Sequence, residues 1–294
     1  MNTGSIITET IGNLTVSGSG IVNAPGSGNA AATNLTAADV HFTGGQGAVS
    51  TAASTYTGST AIQGGTLHVN VNNSTLTGNV TVGGATATGK PTLGGTGTLG
   101  GAVTVRSASG GASGVLNPGV AIGTLSVANT VNFETDSIFE VDLGVKGKSG
   151  TSDRLSLTSG NFLLSFAQGS VLRLLPGDGF NLTTGDIGFT YLLASVQSGT
   201  GASNIAVNGA TNLTTISTYT YGSGSVGPVM IDVSALPAFP NGSTLTLSRS
   251  GDNLVLTAAV VPEPVTTGLL AAGALGLAGL VRQRRKRLTR QAAC

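Results

Sequence analysis

Charge is scarce in this chain. Asp, Glu, Lys and Arg make up 9% of the 294 residues, Trp is absent and aromatics reach only 4%. Disorder in the usual sense needs high net charge and few apolar residues, so low charge argues for a folded body. A single cysteine, Cys294, excludes a disulfide within the chain and any cysteine-based metal site. Histidine is limited to His41 and His68, which lie far apart in sequence. No acidic residue occurs between Asp39 and Glu134. That gap excludes calcium-binding nonapeptide coils there, because each copy needs an Asp. It equally excludes the clustered carboxylates of a polysaccharide lyase or hydrolase. Gly95 to Gly100 fits G-x-G-x-x-G, but strand pattern follows it instead of a helix and no acidic residue comes about 20 positions on, which rules against nucleotide binding.

What remains in abundance is Gly, with 47 copies, together with Ser, Thr and β-branched residues. This mixture predicts many short strands joined by tight turns. Six of the 13 basic residues follow Val281, whereas all 12 acidic residues precede it. Residues 1–281 therefore hold seven basic against twelve acidic groups, a net −5, and carry no electrostatic footprint for nucleic acid.

The most specific stretch is the last 34 residues. Pro262, Glu263 and Pro264 come first, then 17 uncharged residues from Val265 to Val281, then Arg282, Arg284, Arg285, Lys286, Arg287 and Arg290. The apolar run is at the lower limit for a bilayer-spanning helix. Gly273, Gly276 and Gly279 give it a small-residue face. The basic cluster is a stop that holds its end in the cytoplasm. The two prolines keep the preceding segment extended. This order resembles the PEP-CTERM sorting signal of Gram-negative bacteria. The resemblance implies recognition of the triplet by exosortase, a membrane-embedded cysteine protease, removal of the tail, and export of the rest, often to an extracellular polysaccharide matrix. Met1 to Gly12 has neither a basic n-region nor an apolar h-region, so an export signal is expected upstream of this start.

Upstream of the tail the chain is repetitive. Short alternating pieces (Leu14 to Val16, Ile21-Val22) fill residues 1–40, where Thr36 is a candidate cap for a helical turn. Tyr56-Thr57-Gly58, an alternating Thr/Ile strand and Gly65-Thr66-Leu67 resemble the autotransporter-associated β-strand repeat. Val80-Thr-Val82, Val103-Thr-Val105 and Leu125-Ser-Val127 each place an apolar residue at every second position, which buries one face. Val82, Val105 and Val127 recur at steps in the low twenties, the period of a solenoid. Val115 to Gly119 reads as a turn between coils. Residues 131–143 read as a strand pair whose Glu134, Asp136, Glu140 and Asp142 face water. Lys90 and Arg106 have no acidic partner in the coils, and Asp153 and Arg154, being adjacent, point to opposite faces. Residues 197–243 read as long loops, and a hairpin is expected around Ser250-Gly251-Asp252, with Gly supplying positive φ.

The expected architecture is therefore all-β. Residues 1–40 are short strands, 41–160 a parallel β-helix or solenoid, 161–260 a β-rich C-terminal region, and 261–294 the sorting signal with one transmembrane helix. The expected function is a non-enzymatic, exported surface or matrix protein, without catalytic, cofactor or metal sites. Its partners are exosortase, the membrane before cleavage, and extracellular polysaccharide. Two alternatives are an autotransporter-like adhesin, although no strand-built translocator follows, and a degenerate β-helix enzyme, although the coils lack carboxylates.

Overall fold

The computed structural model describes residues 59–261 apart from 71, 74–76, 120, 147–150, 159, 161, 184–186 and 198–203, and the strand backbone of 10–16, 21–23 and 36–49. Among the described residues every regular element is a strand. In chain order they are β1 (Thr10–Val16), β2 (Ile21–Asn23) and β3 (Thr36–Val49), then five coils. The first coil holds β4 (Thr60–Val69) and β5 (Asn72–Asn73); the second holds β6 (Val80–Val82), β7 (Thr92–Gly95) and β8 (Thr98–Leu99). The third holds β9 (Val103–Val105), β10 (Val115–Pro118) and β11 (Thr124–Val127). The fourth holds β12 (Val131–Phe133), β13 (Ile138–Leu143) and β14 (Arg154–Leu157). The fifth holds β15 (Leu164–Phe166), β16 (Val171–Pro176) and β17 (Ile187–Val196). After them come β18 (Ile205–Val207), β19 (Thr215–Thr220), β20 (Gly224–Val226), β21 (Met230–Asp232), β22 (Thr244–Ser250) and β23 (Asn253–Ala259).

Corresponding strands of successive coils pair in parallel, which produces three ladders. The first runs through the start of β4, then β6, β9, β12, β15 and β18. The second leaves the end of β4 and runs through β7, β10, β13, β16 and β21. The third runs β5, β8, β11, β14, β17. This is a β-solenoid-like fold: the large parallel sheet curls round, and its inward side chains form one core. Ladder one contributes Val80, Val103, Val131 and Leu164 in one row and Ile62, Val82, Val105, Phe133 and Phe166 in the next, all buried. Phe133 stacks on Phe166 at 4.8 Å and tilts against Phe139 of ladder two at 5.4 Å.

The ladders correct several expectations. Thr36 lies in strand β3 and caps no helix. Val82 and Val105 share a register, but Val127 stands in ladder three, so the step from 105 to 127 crosses between faces. Val105 instead pairs with Phe133. The segment read as an inter-coil turn is strand β10, because Val115, Leu116 and Pro118 are all buried against β7, and Gly119, at φ 93°, bridges to Gly95. Pro118 closes its strand at a point where the pairing with β13 has already ended. Residues 131–143 are two strands of different ladders and do not pair with one another. The stretch read as loops carries β18, β19, β20 and β21.

The end of the solenoid is antiparallel. β23 pairs with β17, β22 with β23, and β19 with both β22 and β20. The hairpin of β22 and β23 turns at Gly251 and Asp252, with Gly251 at φ 59°, as its sequence predicts. Val260 is buried and the Val261 amide donates to Ser243 Oγ at 3.2 Å, which ties the end of the described chain to the hairpin.

Candidate functional site

Alternation along each strand leaves one outward row per ladder. Row one is Thr81, Thr104, Asn132 and Ser165, adjacent in register. Ser165 Oγ donates to Asn132 Oδ1 at 2.6 Å, so neighbouring coils are linked by side chains as well as backbone. Row three is Thr98, Ser126, Ser156 and Ser195, again adjacent. Hydroxyls and an amide thus line two outer faces.

Row two is different. Leu116 pairs with Phe139, which sets Asn117 beside Glu140; Glu140 pairs with Arg173 and Arg173 with Asp232. Glu140 is only 3% exposed. Its carboxylate accepts from Lys90 Nζ at 2.8 and 2.9 Å, from Asn117 Nδ2 at 3.0 Å and from Arg173 Nη1 at 3.5 Å. Arg173 Nε donates to Asp232 Oδ2 at 2.9 Å. A buried carboxylate needs such partners, since desolvation otherwise exceeds the Coulombic gain. Burial opposes the charge of both Arg173 and Asp232 and is the largest single influence on each, but it is outweighed jointly: by Asp232 and Glu140 at Arg173, whose pKa is raised, and by the Ser234 amide and Arg173 at Asp232, whose pKa is lowered. Four coils are stitched together by this network. It overturns two expectations: Glu140 does not face water, and Lys90 has an acidic partner, 50 residues away in sequence. Every acceptor of the Glu140 carboxylate faces a donor within the chain, so this cluster braces successive coils and offers no open catalytic acid.

A second carboxyl group is buried immediately before β14. Asp153 is fully buried; its Oδ1 accepts from the Gly123 amide at 2.8 Å and its Oδ2 from the Asp142 amide at 3.0 Å. It pins β14 to the coil below and to the preceding strand. Burial pushes its carboxyl up to about 7, with the backbone bonds opposing and the nearby Asp142 adding to the rise. Burial also raises Asp142, helped by Glu140. A carboxyl that holds its proton more tightly when folded stabilises the fold most below its unfolded pKa, near 4, and loses that contribution as pH rises through 7. Asp153→Asn is therefore expected to lower the urea midpoint, because an amide accepts with only one of its two terminal atoms. The deficit against the parent is expected to be largest near pH 4 and to shrink by pH 7.5. A deficit that grows with pH overturns this assignment.

Arg154 follows Asp153 and points the other way, as adjacent strand residues do. Its partly exposed side chain lines a cleft of about 130 Å³ with Gly123, Thr124, Ser152 and Leu192. Ser152 Oγ donates to the Leu192 carbonyl at 3.1 Å. His68 lies at the start of row two with its Nδ1 buried and unpartnered, and burial lowers its pKa.

The sorting triplet Pro262, Glu263 and Pro264, the run from Val265 to Val281 and the cluster Arg282, Arg284, Arg285, Lys286 and Arg287 lie outside the described residues, as does the side chain of His41. Among the described residues no helix is long and apolar enough to cross a membrane, and no three His, Cys, Asp or Glu side chains gather as metal ligands. Glu140, Arg173 and Asp232 escaped sequence reasoning; aligning the coils residue by residue is the one signal that reveals them. No protein-family model matches the chain, and no curated protein matches it.

Proposed function

We propose that this protein is a non-enzymatic, exported structural protein of the cell surface or extracellular matrix, sorted and cleaved by exosortase at Pro262–Pro264. The observation that carries the reading is the ordered tail: triplet, 17 uncharged residues, basic cluster. In this reading the chain is held briefly in the inner membrane by its C-terminal helix and then released to the surface. The body is a parallel β-helix acting as a stiff rod. Two features support it. The hairpin of β22 and β23 closes at Ala259, before the triplet, so cleavage at the triplet leaves it whole. The outer rows of Thr, Ser and Asn offer donors and acceptors suited to polysaccharide hydroxyls or to other copies.

The test is expression behind a signal peptide in hosts with and without exosortase. With the protease, the surface fraction is expected to lack every peptide from residues 282–294. Mass spectrometry that finds Cys294 peptides in that fraction sinks the reading.

A further inference from the structure

We propose that the cleft beside Arg154 is an anion-binding subsite that seats a sugar carboxylate of an acidic polysaccharide; the polymer assignment rests on the matrix reading above, the anion site on the geometry alone. Arg154 Nε is buried and has no hydrogen-bond partner. No described carboxylate pairs with Arg154, whereas Lys90 and Arg173 both have acidic partners. The adjacent Asp153 is turned inward, with its oxygens taken by the Gly123 and Asp142 amides. The buried Nε without an acceptor is costly, and the exposed part of the same guanidinium is what an anion entering the cleft meets. Its planar fork matches a carboxylate in bidentate fashion.

The surroundings choose the class of molecule. Thr124 pairs with Arg154 in register, and Ser126 and Ser156 follow two residues along on the same outer face. Ser152, at the cleft wall, already spends its proton on the Leu192 carbonyl and so presents an acceptor. One cation set in a field of hydroxyls is complementary to a ring carrying several hydroxyls and one acid. The cleft volume of about 130 Å³ admits the acid group, with the ring lying outside on the Ser and Thr row.

The experiment uses the full chain in mild detergent with three probes: polygalacturonate, its fully methyl-esterified form, and polyglutamate of matched length. The acid polysaccharide is expected to bind at least tenfold more tightly than the ester, and to weaken with salt. Arg154→Gln is expected to abolish that preference, and Arg154→Lys to keep part of it by retaining charge without the fork; unchanged thermal midpoints show that both fold. Equal binding of acid and ester, or a preference that survives in Arg154→Gln, overturns the site. Polyglutamate binding as tightly as polygalacturonate overturns the polysaccharide assignment. Failure here leaves tail processing untouched, and intact Cys294 at the surface leaves the Arg154 result untouched, so the two proposals fail separately.

Discussion

Gly95→Ala is expected to cost about 3 kcal/mol or more, measured as a lowered urea midpoint, because two penalties coincide. Gly95 sits at φ 110°, where an L side chain is strained. A Cβ there falls 2.2 Å from the Val69 carbonyl oxygen and 2.5 Å from its nitrogen. Those atoms are backbone of the preceding coil and cannot rotate aside. Gly95 also exchanges two backbone hydrogen bonds with Gly119 of the following coil, at 3.0 and 2.8 Å. The methyl group therefore forces three coils apart at once. Gly110→Ala separates the two causes: φ is 93°, but nothing lies within 4 Å of the new Cβ. It is expected to cost only about 1 kcal/mol, the strain alone. Equal losses at the two positions would contradict the close-approach explanation.

Phe133→Ala carries the second large effect, about 3–5 kcal/mol from lost burial and the cavity left behind. Phe133 is fully buried and touches both Phe139 and Phe166. Each coil of a solenoid is stabilised mainly through its neighbours, so damage at one interface uncouples the units on either side. The variant is expected to show a lower denaturant slope as well as a lower midpoint, the mark of lost two-state behaviour. Phe133→Leu retains most of the volume and is expected to lose about 1.5 kcal/mol with the slope unchanged. A parallel shift without any change of slope for Phe133→Ala shows that the coils unfold as one unit.

How much of this was legible in the sequence depended on whether the deciding contact was local. Val80 with Val82 and Val103 with Val105 announce their strands, because an apolar residue at every second position has no other use in so polar a neighbourhood. The all-β, solenoid-like body follows from repeating that pattern. Asn117-Pro118-Gly119 misled because its turn chemistry is local, whereas its burial against Thr92 to Gly95 is not. Glu140 misled for the same reason: an acid on an alternating strand reads as solvated until Lys90 and Arg173, 50 and 33 residues away, are brought over it. Asp153 offers no sequence signal of burial at all, since its partners are backbone amides. Arg154 reads in sequence only as the neighbour of an acid; its want of an acceptor shows once Asp153 is seen turned inward onto the Gly123 and Asp142 amides.

The coils are unequal in a one-sided way. Along ladder two the paired residues Thr66, Thr92, Val115, Ile138, Val171 and Met230 stand 26, 23, 23, 33 and 59 residues apart, yet each rung keeps its register. The longest step, from Val171 to Met230, is taken up in large part by β17, β18, β19 and β20, which lie off ladder two. Lengthening a corner costs only logarithmically in closure entropy. The connections between ladder strands are thus ports where whole peptides of foreign sequence can be spliced in and displayed, while the paired rungs keep the core that holds them out.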